Sequence, residues 1–212
     1  MITEKGQSIE DRSFEIIDRE VGRHHYNKDE WSIVRRVIHA TADFDFARGD
    51  MIIFHKDAIW CGLKSLKNSC NIVVDVNGVI GGFNKENLKE FGNKVICNIS
   101  DPNIATHAKK FNKTRAQTSM RMASSEMNDG VVVIGNAPTA LVEVIQMIKE
   151  KVTQPALVIG IPVGFVCAVE SKEDLQTLQI PYITNMGRKG GSPCASAIVN
   201  ALFKLLKERS SS

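Results

Sequence analysis

Three sets of residues in this 212-residue chain have the types and spacing for chemistry. The first is "VRRVIH", residues 34–39, where His39 follows Arg35 and Arg36 by four and three positions. On a helix such residues are neighbours, so an imidazole that titrates near neutrality stands beside two permanent cations. The set suits proton transfer to a ligand whose anionic groups the guanidiniums hold. The plain alternative is a solvated helix face. The second is Arg115 in "NKTRAQTS", where a helix starts or restarts. A cation there opposes the helix dipole, which points to another task, such as gripping an anion.

The third set is a trio of turns: "VVVIGNAPTAL", "ALVIGIPVGFV" and "YITNMGRKGGSPCASA". Each runs from an apolar strand through glycine and small residues into a helix. Pro138 and Pro193 suit a first helical turn, and Ser192 suits a cap. In an open parallel sheet such turns gather at the carboxyl edge, where ligands bind, and free N–H groups of helix N-termini attract carboxylates or phosphates. Asn136 and Thr139, then Gly164, then Arg188, Gly190, Gly191 and Ser192 are the candidate binding residues of the three turns. Asp75, Glu170 and Ser171 either orient a ligand or serve as caps and helix-end charges.

Other chemistries lack their signatures. There is no Walker loop, no GxGxxG after the first strand, no GxSxG, no HExxH and no CxxC. No metal site is therefore expected. Ser119, Ser124 and Ser125 are read as surface residues. Five cysteines, an odd and scattered set, read as small buried thiols of a cytoplasmic protein. The net charge of +3, without a basic stripe, argues against nucleic acid as a partner. No apolar run reaches the roughly 18 residues of a membrane span, and the polar N-terminus is no signal peptide.

The elements that must position these residues follow from periodicity. Amphipathic helices are predicted over 9–21 and 29–40, the second capped by Asn27 with Glu30 in capping-box spacing. At about 100° per residue, Trp31, Ile33, Val34, Val37 and Ile38 share one face. Ser32, Arg35, Arg36 and His39 share the other. Short apolar runs at 71–76, 94–99, 131–135, 156–161 and 182–184 alternate with helical stretches at 56–69, 102–128 (broken near Lys113), 137–151, 166–177 and 192–208. The pattern predicts an α/β fold: a single domain, 1–212, with a mostly parallel sheet flanked by helices on both faces and a disordered tail at 209–212.

Together "RSFEII", "VRRVIHATADFDFA", "NKTRAQTSMR", "VIGNAPTALVEV", "IGIPVGFVCAVESKEDL" and "NMGRKGGSPCASAIVNAL" resemble the precorrin-8X methylmutase family, including its cobalt-precorrin-8 branch. The likeness spans nearly the whole chain. It implies an α/β homodimer with substrate cavities at the subunit interface and no cofactor of its own. It implies an isomerase of cobalamin biosynthesis that moves a methyl group from C11 to C12 of a corrin precursor. Precorrin-8X would become hydrogenobyrinate, or cobalt-precorrin-8 cobyrinate. By the same resemblance His39 matches the histidine that protonates the pyrrolic nitrogen of ring C, and Ser13, Arg36 and Arg115 match substrate-contacting positions. Two departures stand out: Cys167 replaces a glycine common in the motif, and "DVNGVIGGF" (75–83) is divergent.

The residues fit such a substrate. A corrin precursor is a flat apolar disc rimmed by carboxylates, suited to arginines at the rim and to Pro138, Pro162, Val163 and Phe165 against the disc. "HATADFDF" is closer to the cobalt branch, but cobalt carried in the ring needs no protein ligand, so the residues leave it open. Two other readings compete: a non-catalytic tetrapyrrole carrier, which places no demand on His39, and an enzyme acting on a nucleotide or phospho-sugar.

Overall fold

Sequence-adjacent valines in this protein bury their side chains on opposite sides of one sheet. The computed structural model describes residues 3–48 and 51–210. Its six strands are β1 (Ile52–Phe54), β2 (Ile72–Val74), β3 (Val95–Ile96), β4 (Val131–Ile134), β5 (Leu157–Gly160) and β6 (Tyr182–Asn185). They lie in the order β1-β6-β5-β4-β2-β3, all parallel except β1, which runs antiparallel to β6. Val131 and Val133 enter one core, and Val132 and Ile134 the other. This two-sided burial is why the strands read as unbroken apolar runs.

The helices are α1 (Glu4–Val21), α2 (Lys28–Thr41), α3 (Ala58–Lys67), α4 (Asn77–Ile80), α5 (Lys85–Phe91), α6 (Ile104–Lys110), α7 (Arg115–Met122), α8 (Pro138–Lys149), α9 (Ala168–Gln176) and α10 (Ser192–Ser210). Residues of α1, α2, α3 and α10 build one core; α7, α8 and α9 cover the other face. Connections leave β2 toward β3 and β4 toward β5, so the strand order reverses between β2 and β4. In this kind of fold that is the switch point where a crevice opens at the carboxyl ends.

Most predicted elements are present, within a few residues of their expected bounds. The Asn27 capping box forms as expected: its side chain accepts from Asp29 and Glu30, and Glu30 accepts from the Asn27 N–H. The exceptions have local causes. Helix α1 starts before the expected Ile9, because Thr3 caps it and accepts from Gly6 at 3.1 Å. The edge strand β1 and helices α4 and α5 were not expected; each is too short for periodicity to register. The predicted tail at 209–212 is partly helix: Ser210 Oγ donates to the Leu206 carbonyl at 2.9 Å, and Arg209 pairs with Asp29. Residues 211 and 212 lie outside the described residues. Only Cys194 of the five thiols is buried, and Cys167 is exposed, which corrects the expectation of buried cysteines. Ser119, expected at the surface, is buried.

Candidate active site at the carboxyl edge of the sheet

His39 is exposed on α2 with Ile38 buried behind it, so the helix face deduced from spacing is the one observed. Its ring packs on Phe14 of α1, with ring centroids 5.3 Å apart. A groove of about 420 Å³ beside it is lined by Arg36, His39, Gly78, Ser192, Pro193 and Asn200, among others. The start of α10 and the turn after β2 thus face the histidine across one concavity. Partial burial lowers the imidazole pKa from its ordinary value; Arg36 lowers it further, and Glu10 opposes both. Desolvation, rather than the two arginines, leads.

Arg36 was expected to stand free for a ligand. Instead its Nη2 donates to Glu10 at 2.6 Å, while Arg35 Nη1 donates to Asp18 at 2.7 Å. Both guanidiniums lie over the Phe14 ring, 4.5 and 4.8 Å from its centroid. Glu10, on a helix 26 residues away in sequence, is therefore a member of the site that sequence reasoning missed. Ser13 Oγ donates to the Ile9 carbonyl at 2.7 Å, an intrahelical bond.

The turn after β6 is tied to α2 by an ion pair. Lys189 Nζ reaches Asp43 and Asp45, each at 2.6 Å, in the 3-10 turn that follows α2. The turn after β5 joins the same cluster: the Gly164 N–H donates to the Arg188 carbonyl at 3.2 Å, and the Arg188 guanidinium lies 5.5 Å from the Phe165 ring centroid. Gly190 has φ +146°, and any Cβ there would collide with the Ile161 carbonyl oxygen, so only glycine fits. Phe165 is 83% exposed and Val166 79%, while Pro162 is buried rather than part of a cavity wall.

Asp75 decides the chemistry of the switch point. It is fully buried, and its carboxylate accepts from the N–H groups of Gly135, Asn136 and Ala137 at 3.1, 2.8 and 2.7 Å. The donors entering α8, expected to be free for a ligand, are already occupied by the protein's own anion. Ser171 is likewise internal, donating to the Ala168 carbonyl at 3.2 Å, and Glu170 is exposed on α9.

Arg115 is exposed in the first turn of α7, its Nη2 donating to the Ile99 carbonyl at 2.8 Å. Thr114 caps this helix and meets Thr139 at 3.1 Å. The buried Glu143 holds α7 on α8 through Lys113 at 2.5 Å and through Arg121. Arg115, Asn136 and Thr139 thus stand toward the β4 part of the edge, and none of them lines the groove beside His39. A further groove, about 500 Å³, is lined by Arg23, His24, His25 and Arg48. It borders none of the three strand-end turns, whereas the His39 groove includes Ser192 and Pro193 at the start of α10.

Known proteins resemble this chain over nearly its whole length. The family model described as precorrin-8X methylmutase matches residues 8–205. A protein of Leptospira interrogans named cobalt-precorrin-8 methylmutase is 48% identical, covering 98% of this chain and 97% of its own. A precorrin-8X methylmutase of Sinorhizobium is 33% identical, covering 94% of each. A solved structure described as precorrin-8x methyl mutase from Thermus thermophilus superposes with a TM-score of 0.89 at 38% identity, covering 96% of this chain and 98% of that one.

Proposed function

The chain belongs to the precorrin-8X methylmutase family, and from that membership we propose that it moves a methyl group from C11 to C12 of a corrin precursor at the His39 groove. The observation that carries the placement is the exposed His39 facing the start of α10 across that groove. The migration breaks the methyl–C11 bond and forms a methyl–C12 bond, so there is no net exchange of atoms or electrons with the protein. What is required is a fixed ring geometry and stabilised charge as conjugation shifts. Imidazolium at the ring C nitrogen supplies the second and recovers its proton afterwards.

The remaining residues hold the disc. Arg115 and Arg188 are exposed guanidiniums suited to rim carboxylates, and Phe165 offers an apolar face. Ser13, Asn136, Thr139, Gly164, Gly190, Gly191 and Ser192 are assigned to the same binding surface. Cobalt-precorrin-8 is the favoured substrate, because relatives of that name reach 48% identity against 33% to 38% for those named for precorrin-8X. Any cobalt belongs to the ring, and the reading requires no cofactor from the protein and a cytoplasmic setting. Among the described residues no helix is long and apolar enough to cross a membrane.

The direct test is to incubate the protein with cobalt-precorrin-8 and follow its absorption. Conversion to the cobyrinate spectrum is expected; tight binding with an unchanged spectrum would return the protein to a carrier role.

The two arginines separate by measurement. Arg115→Ala is expected to weaken product binding about tenfold, the worth of one hydrogen bond to a charged group. Arg36→Ala acts on His39: losing the cation and freeing Glu10 both favour imidazolium, so the His39 pKa rises. Nuclear magnetic resonance titration of the imidazole reads the shift; an unmoved midpoint would remove the electrostatic link.

We also propose a homodimer whose partner closes the site. The groove is open, and Phe165 and Val166 in the turn after β5 are exposed apolar side chains. Sedimentation is expected to give a dimer burying roughly 2,000 Å² or more; a fully active monomer would contradict it.

A further inference from the structure

Lys172 of α9 is a lysine with 1% of its surface exposed. Its Nζ donates to the carbonyls of Gly187 at 2.9 Å and Lys189 at 2.6 Å. Asn185, fully buried at the end of β6, adds donors to Met186 at 2.9 Å and to the same Lys189 carbonyl at 2.7 Å. An ammonium is costly to bury, and this one is spent on turning the backbone of a single loop. The consequence lies on the other side of the peptide planes. The chain has no cis peptide bonds among its described residues, and in a trans peptide the N–H points opposite to the preceding carbonyl. With the Gly187 and Lys189 oxygens held inward, the N–H groups of Arg188 and Gly190 point outward. Neither meets an acceptor among the described residues. Backbone N–H groups left without a partner at an exposed loop are donors available to an anion.

We propose that Lys172 is a positioning residue for substrate binding: by holding two carbonyls inward it turns the Arg188 and Gly190 N–H groups outward, as donors to the ring carboxylates beside the Arg188 guanidinium. The inference rests on the methylmutase reading for the identity of the ligand, but not for the existence of the anion site. Desolvation lowers the Lys172 pKa to about 8. Its charge is therefore present below that value and lost as pH rises through it. The titratable group facing it is Cys194 of α10, pushed up to about 12 by burial. Lys189 is turned away to Asp43 and Asp45, Glu170 and Glu173 are exposed on α9 itself, and Asp174 is paired with Lys149 of α8 at 3.6 Å.

The experiment compares the full-length wild type, Lys172→Met and Arg188→Ala. Cobyrinate affinity, kcat and KM are measured from pH 6.5 to 9.5, and amide resonances are followed with citrate as a simple polycarboxylate probe. Lys172→Met is expected to raise KM tenfold or more while changing kcat less. It should also abolish the fall in affinity near pH 8, whereas Arg188→Ala weakens binding but keeps that step. In the wild type citrate should shift the Arg188 and Gly190 amides. A folded Lys172→Met with unchanged affinity, or with the pH step retained, overturns the proposal. Should that variant not fold, wild-type affinity that stays constant to pH 9.5 overturns it equally. Citrate-shifted amides without cobyrinate binding would defeat the methylmutase reading and leave the anion site standing; cobyrinate binding without movement of those amides would do the reverse.

Discussion

His39→Asn is expected to bind the corrinoid with near-normal affinity and to lose methyl migration by about 10²-fold or more, the loss typical of a positioned acid. Asparagine keeps a donor of similar reach on the same exposed helix face but carries no titrating proton. Binding survives because Arg115, Arg188 and the turn after β6 are untouched. The pH dependence sharpens the test. In the free protein the His39 pKa is lowered, first by burial and then by Arg36, with Glu10 opposing. If imidazolium is the working form, kcat/KM, which reports the free enzyme, falls as pH rises through a midpoint below the ordinary histidine value. Substrate carboxylates near the groove favour imidazolium, so kcat should fall at a higher pH than kcat/KM. Near wild-type turnover in His39→Asn would remove the imidazole from the mechanism.

Asp75→Ala should cost about 3 kcal/mol or more of stability, because three backbone N–H groups entering α8 lose their acceptor and each orphaned donor is worth about 1–3 kcal/mol. The same turn carries Asn136 and Thr139, so substrate affinity should fall with it. The sign of the pH dependence follows from burial, which raises the Asp75 pKa above 3.8 against the pull of its three N–H partners. A raised pKa means that the folded protein holds the proton more tightly than the unfolded chain. Wild-type stability attributable to Asp75 therefore grows as pH falls through the folded value toward 3.8, and is lost as pH rises through it. Urea midpoints of both proteins at several pH values measure this. A gap that is small at every pH would show that Asp75 does not hold the turn, and one that narrows on acidification would show that its three N–H partners outweigh burial.

The alternation of strands and helices, the Asn27 cap and the face carrying His39 were legible in the sequence. Each depends on residues within a turn or two of one another, where periodicity and capping rules act. The motifs that pointed to the family were legible for a related reason, since each is a short contiguous run, three of them at the ends of β4, β5 and β6. The partners of the charges were not. Arg36 meets Glu10 across 26 positions, Asp75 meets the α8 entrance across some 60, and Lys189 meets Asp43 across 146. A lysine in "ESKEDL" has nothing in its neighbours to mark it as buried; only the packing of α9 beneath the loop after β6 makes it so. Local sequence thus determined which side chains reach the carboxyl edge. Tertiary structure decided which stand free for a ligand, because that depends on charges brought together by chain closure, which no local pattern encodes.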